Sequence, residues 1–340
     1  MLDLFNPWLP MGFAFVLSAL FSLVVREAGI LDHPNARSSH SDPTPRGGGV
    51  GVLAGFAAAV AVQPLDAPHL ASMLIAILVL ATLAGLVGLL DDLFTLSEKI
   101  KFAALSSISL AVAFTAGPVT NLGWELPWVL GLLGSALFVF TTVNAVNFMD
   151  GSDGLMVAGL VPATLALAAM GEDDFAAICI LFALAQLGFA LWNAPIFGAR
   201  GSLFSGDAGS LGISVLLCGL ALYWASTTSK GAVWLVPLIL LPILGDVLLT
   251  MGARAKAGRR LFTPHRAHAY QLLIRLGWSH GRVALIWVML GAIAALLAWL
   301  VHEQSALVKF LAFAASTAGF TVFHQAVRRH VRARGMDTTQ

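Results

Sequence analysis

Long apolar stretches are the feature that most restricts how this chain can fold. They recur about eleven times among its 340 residues, and each has about 17 to 22 residues, the length that an α-helix needs to cross the ~30 Å hydrocarbon core of a bilayer. Only 11% of the residues are charged, against roughly 25% in soluble domains. Membrane barrels would instead show alternating segments of about ten residues. The sequence therefore predicts an all-α, polytopic integral membrane protein.

Eleven spans are the preferred count, and ten are the alternative because the region 128–171 is the hardest to divide. The expected spans are 8–29, 48–64, 70–90, 101–117, 128–148, 155–171, 175–193, 208–227, 232–251, 282–301 and 305–325. The first span has neither a basic start nor a small-residue cleavage site, so we expect it to be retained rather than removed as a signal peptide.

The charged loops predict the orientation. With eleven spans, the loops after the odd-numbered spans share one face with the C-terminus. That face carries most of the basic residues: Arg37, Arg46, Lys99, Lys101, Arg200, Arg254, Lys256, Arg259, Arg260, Arg266, Arg275, Arg328, Arg329, Arg332 and Arg334. The opposite loops are mainly acidic. Because Lys and Arg accumulate on the cytoplasmic side of membrane proteins, we expect the N-terminus outside and the C-terminus inside.

A polar cluster ends the fifth apolar stretch. Residues 143–155, VNAVNFMDGSDGL, hold Asn144, Asn147, Asp150 and Asp153. An unpaired carboxylate near the bilayer centre costs at least ~2.5 kcal/mol, so such a cluster is expected at a water-facing functional mouth. The alternative is Asn and Gly turn chemistry between two helices. We interpret the cluster as part of a nucleotide-binding and phosphoryl-transfer site.

An acidic doublet, Asp91 and Asp92, lies where the third apolar stretch ends. Carboxylates at the C-terminus of a helix oppose its macrodipole, which favours a functional reason for the placement. Mg²⁺ takes oxygen ligands and is often held by one or two carboxylates plus substrate phosphates. The alternative is solvation of the helix end, with Ser97 and Glu98 capping the next helix.

Two further loops on the same face carry candidate ligands. In the loop after the first span, Arg37, His40 and Arg46 are suited to binding phosphate. The alternative is a basic loop that only sets the orientation in the membrane. The glycine run in this loop is not a Walker A motif. In the loop after the seventh span, Asp207 is either a candidate metal ligand or a helix N-cap. Phe204 either stacks on a base or packs into lipid.

The ninth span and its loop supply the last candidates. Asp246 is an intramembrane acid, which is a functional hypothesis by default. A structural pairing is the alternative, with an arginine as its partner: Arg254, Arg259 or Arg260. The following loop contains His265, Arg266 and His268 without a HExxH motif or a cysteine. We therefore favour an anion-binding cluster over a metal site.

In this order, these segments resemble the polyprenyl-phosphate N-acetylhexosamine-1-phosphate transferase family (glycosyltransferase family 4). The matching pieces span about residues 30–275: DHPNARSSHSDPTPRGGG, the Asp91–Asp92 doublet, NAVNFMDGSDGL, FSGDAGSLG, the Asp246 helix and the histidine-bearing loop. The resemblance implies one transmembrane helical catalytic domain at 1–325 with cytoplasmic active-site loops, followed by a basic cytoplasmic tail at 326–340. It also implies a multi-pass protein of the bacterial inner membrane.

The resemblance implies a reaction as well. A polyprenyl phosphate attacks the β-phosphorus of a UDP-sugar, UMP is released, and the sugar remains on a lipid pyrophosphate. Asp207 would bind Mg²⁺, with Mn²⁺ as a substitute, and the Asp91–Asp92 pair would activate the lipid phosphate or assist the metal. Asn147, Asp150, Asp153 and Asn193 would hold nucleotide or pyrophosphate, and Phe204 would lie against uracil. His268 would be a catalytic residue together with Asp91, Asp92 and Asp207.

The partners implied are UDP-N-acetylhexosamine, undecaprenyl phosphate and membrane lipids, with a homodimer left open and nucleic acid excluded. The chain departs from the family in HRAHAYQ, where Tyr270 and Gln271 replace later histidines. This departure favours a sugar other than GlcNAc or MurNAc-pentapeptide, as in the branch that initiates O-antigen. Two rival classes remain. One is a membrane transporter. The other is an intramembrane aspartyl protease, which is considered because glycine precedes both Asp207 and Asp246.

Overall fold

Apolar helices joined by short polar turns make up most of the protein, seen here in a computed structural model that describes residues 8–29, 31–32, 43–198, 200–260, 263 and 265–339. The elements in chain order are α1 (Trp8–Gly12), a π-helical segment (Phe13–Leu17), α2 (Ser18–Ala28), β1 (Leu31–Asp32), β2 (Thr44–Pro45), α3 (Val50–Val62), α4 (Pro68–Phe94), α5 (Glu98–Ala116), α6 (Trp128–Met149), α7 (Leu155–Met170), α8 (Asp173–Asn193), α9 (Gly206–Thr227), a 3₁₀ turn (Ala232–Trp234), α10 (Leu235–Ile239), α11 (Leu241–Lys256), α12 (Ala269–Arg275), α13 (His280–Val301) and α14 (Ala306–Ala333). The two short strands pair antiparallel.

These helices confirm the prediction of an all-α, multi-pass membrane protein. Within the described residues, eight helical segments are long and apolar enough to cross a membrane, and a ninth is counted if the bent pair Ala232–Ile239 and Leu241–Lys256 forms one span. The bend in that pair is 76°. Apolar helices of only 13 and 16 residues, α3 and α7, occupy the two remaining predicted positions. The count of eleven is therefore not confirmed.

Successive helices bring their ends to two faces. At one face, Asp92 at the end of α4 contacts the start of α9, and Asn147 at the end of α6 contacts the same turn. We call this the site face. At the other face, Ser226 near the end of α9 donates to the carbonyl of Ala116 at the end of α5. Each polar segment singled out in the sequence that the structure describes lies towards the site face.

Helix α9 is the centre of the bundle, since 94% of its most apolar window is buried. Small residues let other helices approach it closely. A Cβ added to Gly88 of α4 would lie 2.3 Å from the carbonyl carbon and oxygen of Asp207, and one added to Gly49 would lie 2.4 Å from the Cα of Gly209. These contacts fix the first turn of α9, and thereby Asp207, against α4 and the start of α3.

The last helix continues through the boundary expected at residue 326 and ends at Ala333. Its basic end is divided between the interior and the surface. Arg328 is only 1% exposed, and its guanidinium donates to the carbonyls of Ala267 and Thr338. Arg329 and Arg332 are exposed. Part of this basic segment thus belongs to the packed protein.

Candidate active site

The acidic doublet occupies the last turn of α4, and the chain turns sharply after it. Thr95 adopts a left-handed conformation with φ 51°, and the Oδ1 of Asp91 accepts the backbone N–H of Leu96 at 2.9 Å. Ser97 then caps α5 by accepting the N–H of Ile100, as its position predicts. This tight turn places Lys101, one turn into α5, beside the doublet.

Lys101 joins two carboxylates from distant parts of the chain. Its ammonium lies 2.6 Å from Oδ2 of Asp91 and 2.5 Å from Oδ2 of Asp207. All three side chains are partly buried, which strengthens their electrostatic interaction relative to an exposed pair. From the sequence, Lys101 is expected only to contribute to membrane orientation, so the structure adds it to the candidate site.

Asp92 faces different partners from Asp91. Its Oδ1 lies 3.2 Å from Nη1 of Arg46, and its Oδ2 accepts the backbone N–H of Asp207 at 3.1 Å. A carboxylate is favourable at the positive N-terminal end of a helix, which here is α9. Gly206, with φ +68°, leaves room for this contact, since an added Cβ would lie 3.1 Å from that oxygen. Asp92 and Arg46 therefore position Asp207.

The asparagine and aspartate cluster also joins α9. Asn147 donates to Oδ1 of Asp207 at 2.8 Å and to Oγ of Ser210 at 3.0 Å. Asp150 accepts the hydroxyl of Ser205. Asn144, by contrast, donates to the carbonyl of Phe140 in its own helix at 2.7 Å. Asn147 and Asp150 thus line the same site as Asp91 and Asp207, whereas the amide of Asn144 is turned onto its own helix.

Asp153 and Asn193 form a buried layer beside the site. The Oδ2 of Asp153 accepts the N–H of Gly201 at 3.1 Å and lies 3.5 Å from Nδ1 of His280. Asn193 is 1% exposed, accepts the N–H of Gly154 and donates to the carbonyl of Leu203. It therefore braces two loops. His280, which begins α13, was not predicted because no sequence motif marks it.

Phe204 links the first and seventh loops. Its N–H donates to the carbonyl of Pro45 at 2.8 Å, and its own carbonyl accepts the N–H of Gly48 at 2.9 Å. These bonds bring Arg46 to the acid cluster. The other two phosphate ligands predicted in the first loop, Arg37 and His40, lie outside the described residues.

Residues 265–268, which we call the histidine loop, rest on Asp246. This carboxylate is fully buried and accepts the N–H groups of Ala269 at 2.7 Å and Tyr270 at 3.3 Å. The hydroxyl of Thr250 donates to it at 3.2 Å, and Nε2 of His324 lies 3.5 Å away. The arginine partners considered from the sequence are thus replaced by backbone N–H groups, a threonine and a histidine.

The rings of the histidine loop pack next to the asparagine and aspartate cluster. The ring centroids of His265 and His268 are 4.9 Å apart, and those of His268 and Phe148 are 6.4 Å apart. Burial, together with the nearby His268 and Arg254, lowers the pKa of His265 to about 3. His265 is therefore a neutral imidazole at neutral pH. Arg266 is half-buried in the same loop.

The two replaced histidine positions lie behind this loop. Tyr270 is fully buried, its hydroxyl donates to the carbonyl of Phe148 at 3.1 Å, and burial raises its pKa. Gln271 is 8% exposed and accepts the N–H of His268 through Oε1. Tyr270 and Gln271 therefore support the chain behind His268, and the expectation of a sugar other than GlcNAc or MurNAc-pentapeptide stays a prediction.

The acid cluster is chemically suited to a hard cation. It contains three carboxylates, those of Asp91, Asp92 and Asp207, and two cationic side chains, Arg46 and Lys101. With all five groups charged, the cluster has one excess negative charge. Mg²⁺ prefers such oxygen ligands, so these residues fit the ion. In the part of the chain that the structure describes, no three His, Cys, Asp or Glu side chains form a ready metal-binding group. Magnesium binding thus stays a prediction.

Fold and site together define a multi-pass membrane protein whose carboxylates, amides and cations converge where its helices end. Comparison with known proteins gives the family. Residues 74–225 match the model described as Glycosyl transferase family 4. Together with the relatives described next, this match shows that the chain belongs to glycosyltransferase family 4, as the resemblance implied.

Three relatives illustrate the similarity. The undecaprenyl-phosphate alpha-N-acetylglucosaminyl 1-phosphate transferase of Escherichia coli K12 is 30% identical over 298 residues, covering 82% of this chain and 79% of the relative. The enzyme with the same name from Yersinia pestis is 27% identical and covers 93% and 90%. The decaprenyl-phosphate N-acetylglucosaminephosphotransferase of Mycobacterium tuberculosis is 31% identical and covers 80% and 76%.

Proposed function

We propose that this protein transfers an N-acetylhexosamine-1-phosphate from a UDP-sugar to a polyprenyl phosphate, undecaprenyl phosphate in bacteria that use it. An oxygen of the lipid phosphate forms a bond to the β-phosphorus of the donor, the bond from that phosphorus to the bridging oxygen breaks, and UMP leaves. The single observation that supports this most is the meeting of Asp91, Lys101 and Asp207 at one point. The names of the relatives supply the substrate class.

The residues suit phosphoryl transfer because that chemistry depends mainly on positioning and on neutralising charge. Lys101 is placed to attract a phosphate and to stabilise negative charge in the transition state. Asn147 orients Asp207 through its amide, and Asp150 with Ser205 lines the adjoining wall. Bound Mg²⁺, or Mn²⁺ in its place, would be held by Asp207 and Asp91 and would neutralise phosphate charge.

Asp92 acts in this proposal by holding the first turn of α9 and by compensating Arg46. His265, Arg266 and His268 lie on a loop outside the spanning helices, which suits recognition of the water-soluble donor. Asp153, Asn193 and Phe204 shape the walls, and Arg37 and His40 remain predicted phosphate ligands. We further propose that the site face is cytoplasmic in the bacterial inner membrane, since most basic residues lie on that face.

This proposal separates the protein from the rival classes. An aspartyl protease requires two carboxylates that share a proton. Asp207 contacts Lys101 and Asn147, whereas Asp246 contacts Thr250 and backbone N–H groups in a different cluster. A transporter would place its polar groups near the bilayer midplane, whereas the acid cluster lies at helix ends.

The test is an assay of purified protein with Mg²⁺, undecaprenyl phosphate and a panel of UDP-sugars, including UDP-GlcNAc and UDP-N-acetylated deoxysugars. We expect UMP release and a lipid-linked sugar pyrophosphate with at least one donor. Asp207→Ala is expected to abolish both products, and Lys99→Ala, at an exposed position near the site, is the control. Hydrolysis of the donor without a lipid product would overturn the proposal. The donor used would also indicate the pathway, for which we propose O-antigen or a related envelope glycan.

A further inference from the structure

The end of α14 contains two buried polar side chains that the reaction proposed above does not use. His324 is fully buried and Arg328 is 1% exposed. A buried guanidinium is costly unless its N–H groups have acceptors. The neighbouring Arg329 is exposed, so the burial of Arg328 is not shared by the arginine next to it.

Arg328 connects two segments that are far apart in sequence. Its Nη1 donates to the carbonyl of Ala267 at 3.2 Å, and its Nη2 donates to the carbonyl of Thr338 at 2.6 Å. Ala267 immediately precedes His268 in the histidine loop. One planar guanidinium thus ties that loop both to α14 and to residues 336–339, which we call the C-terminal segment.

His324 supports the other side of the same loop. Its Nε2 lies 3.2 Å from the hydroxyl of Thr250 and 3.5 Å from Oδ1 of Asp246. That carboxylate accepts the N–H groups of Ala269 and Tyr270. His268 is therefore held from both sides along the chain. Arg328 binds the carbonyl of Ala267 before it, and Asp246, which lies beside His324, binds the two N–H groups after it.

A second buried guanidinium repeats this arrangement. Arg254, 3% exposed, donates through Nη2 to the carbonyl of Arg260 at 2.6 Å and to the hydroxyl of Thr263 at 3.0 Å. Its Nη1 donates to the carbonyl of Thr339. Each guanidinium therefore connects the C-terminal segment to the chain at or just before the histidine loop. Arg328 binds Ala267 within the loop, and Arg254 binds Arg260 and Thr263 before it.

Tyr270, two residues beyond the histidine loop, connects the loop to the candidate active site. The hydroxyl of Tyr270 donates to the carbonyl of Phe148 at 3.1 Å, and a Cβ added to Gly151 would lie 2.5 Å from that hydroxyl. Any displacement of the loop would therefore reach the chain between Asn147 and Asp150. The contacts run from α14 through the loop to the end of α6.

We propose that Arg328 and His324 are positioning residues, and that α14 with the C-terminal segment acts as a clamp holding the histidine loop in its substrate-binding geometry. The inference rests on the proposed function for the identity of the substrate. The loop lies outside the spanning helices, whereas a polyprenyl chain enters from the bilayer. The clamp therefore acts on the UDP-sugar rather than on the lipid.

The kinetic test compares Arg328→Ala and His324→Ala with Arg329→Ala as the matched control. We expect Arg328→Ala to raise KM for the UDP-sugar at least tenfold while KM for polyprenyl phosphate changes less than twofold, and Arg329→Ala to leave both unchanged. Arg328→Lys is expected to recover only part of the loss, because one ammonium does not span both carbonyls. Equal changes in both KM values, or no difference between the Arg328 and Arg329 variants, would overturn the proposal.

A second measurement does not depend on activity. Hydrogen exchange of the full-length protein in detergent or nanodiscs is expected to show at least tenfold faster exchange of amides 267–272 in Arg328→Ala, with exchange in α4, α5 and α9 unchanged. Faster exchange throughout the protein would mean that Arg328 supports the fold in general. Unchanged exchange of amides 267–272 would mean that no clamp exists. Either result would overturn the inference. If the wild type instead transfers no sugar phosphate, the proposed function fails, while the exchange result still decides whether the clamp exists.

Discussion

The ammonium of Lys101 lies 2.5 Å from Oδ2 of Asp207, although 106 positions separate the two residues in the chain. The same ammonium lies 2.6 Å from Oδ2 of Asp91. It thus occupies the point where negative charge from α4 and α9 converges. A bound phosphate would compete with these carboxylates for Lys101, which makes this residue the most direct test of the site.

We expect Lys101→Ala to lower kcat about a hundredfold, the usual effect of removing one group that stabilises transition-state charge. Lys101→Arg should lose less, about tenfold, because a guanidinium keeps the charge but does not place it at a single point. UMP release under saturating substrates measures both. Lys99→Ala should match the wild type, since Lys99 is exposed. A Lys101→Ala variant with wild-type kcat would remove the residue from the mechanism.

Magnesium dependence should distinguish the three acids. Asp207→Asn and Asp91→Asn change the proposed ligands themselves and should raise the Mg²⁺ concentration for half-maximal activity by at least the roughly 10- to 100-fold that is typical for loss of an outer-shell partner. Asp92→Asn should lower kcat and shift that concentration less than the other two variants, because Asp92 contacts Arg46 and the N–H of Asp207 rather than a proposed metal site. Mg²⁺ titrations after EDTA treatment provide the measurement. The assignment fails if all three variants shift the titration equally.

Gly88 offers a test of the packing that positions Asp207. A Cβ there would lie 2.3 Å from the backbone of Asp207, and such overpacking typically costs about 1–3 kcal/mol. We expect Gly88→Ala to lower both the thermal midpoint and kcat. Gly134→Ala in α6 meets nothing within 4 Å and should be neutral or stabilising by about 0.5–1 kcal/mol, the usual gain of Ala over Gly in a helix. Similar losses in both variants would contradict the close approach.

Acidification should loosen the histidine loop through His265. Its pKa is lowered to about 3 in the folded protein, mainly by burial, whereas an unfolded histidine titrates near 6.5. Protonation therefore favours the unfolded state, and the stability present above pH 6.5 is lost as the pH falls towards 3. The thermal midpoint should decrease between pH 7 and pH 5, and His265→Gln should reduce that decrease. His330→Gln, at an exposed site on α14, is the control and should show the wild-type decrease.

Sequence reasoning could predict the helices because each needs about 20 apolar residues in a row. It could not predict that α9 is the central helix. Residues facing lipid and residues facing other helices are equally apolar, so the pattern carries no information about which helix is enclosed. Close glycine contacts such as that of Gly88 become visible only once the helices are packed.

The convergence of the acids was predictable for a related reason. Asp91, Asp150 and Asp207 each lie near a helix end, and the alternation of spans puts those ends on one face. Lys101 was missed because a lysine near a membrane interface usually reports topology. His324 was missed because the other members of its buried cluster, including Asp246, lie more than 50 residues earlier.

The packing of α9 against Gly88 bears on how the lipid and the nucleotide of the proposed reaction would meet. Helix α4 continues from Gly88 through the acidic doublet to Phe94, which is about 9 Å of helix. The backbone of Asp207 therefore meets α4 more than one turn before that helix ends. In the proposed reaction, a phosphate whose hydrocarbon tail stays in the bilayer would meet a nucleotide arriving from water beside this helix end.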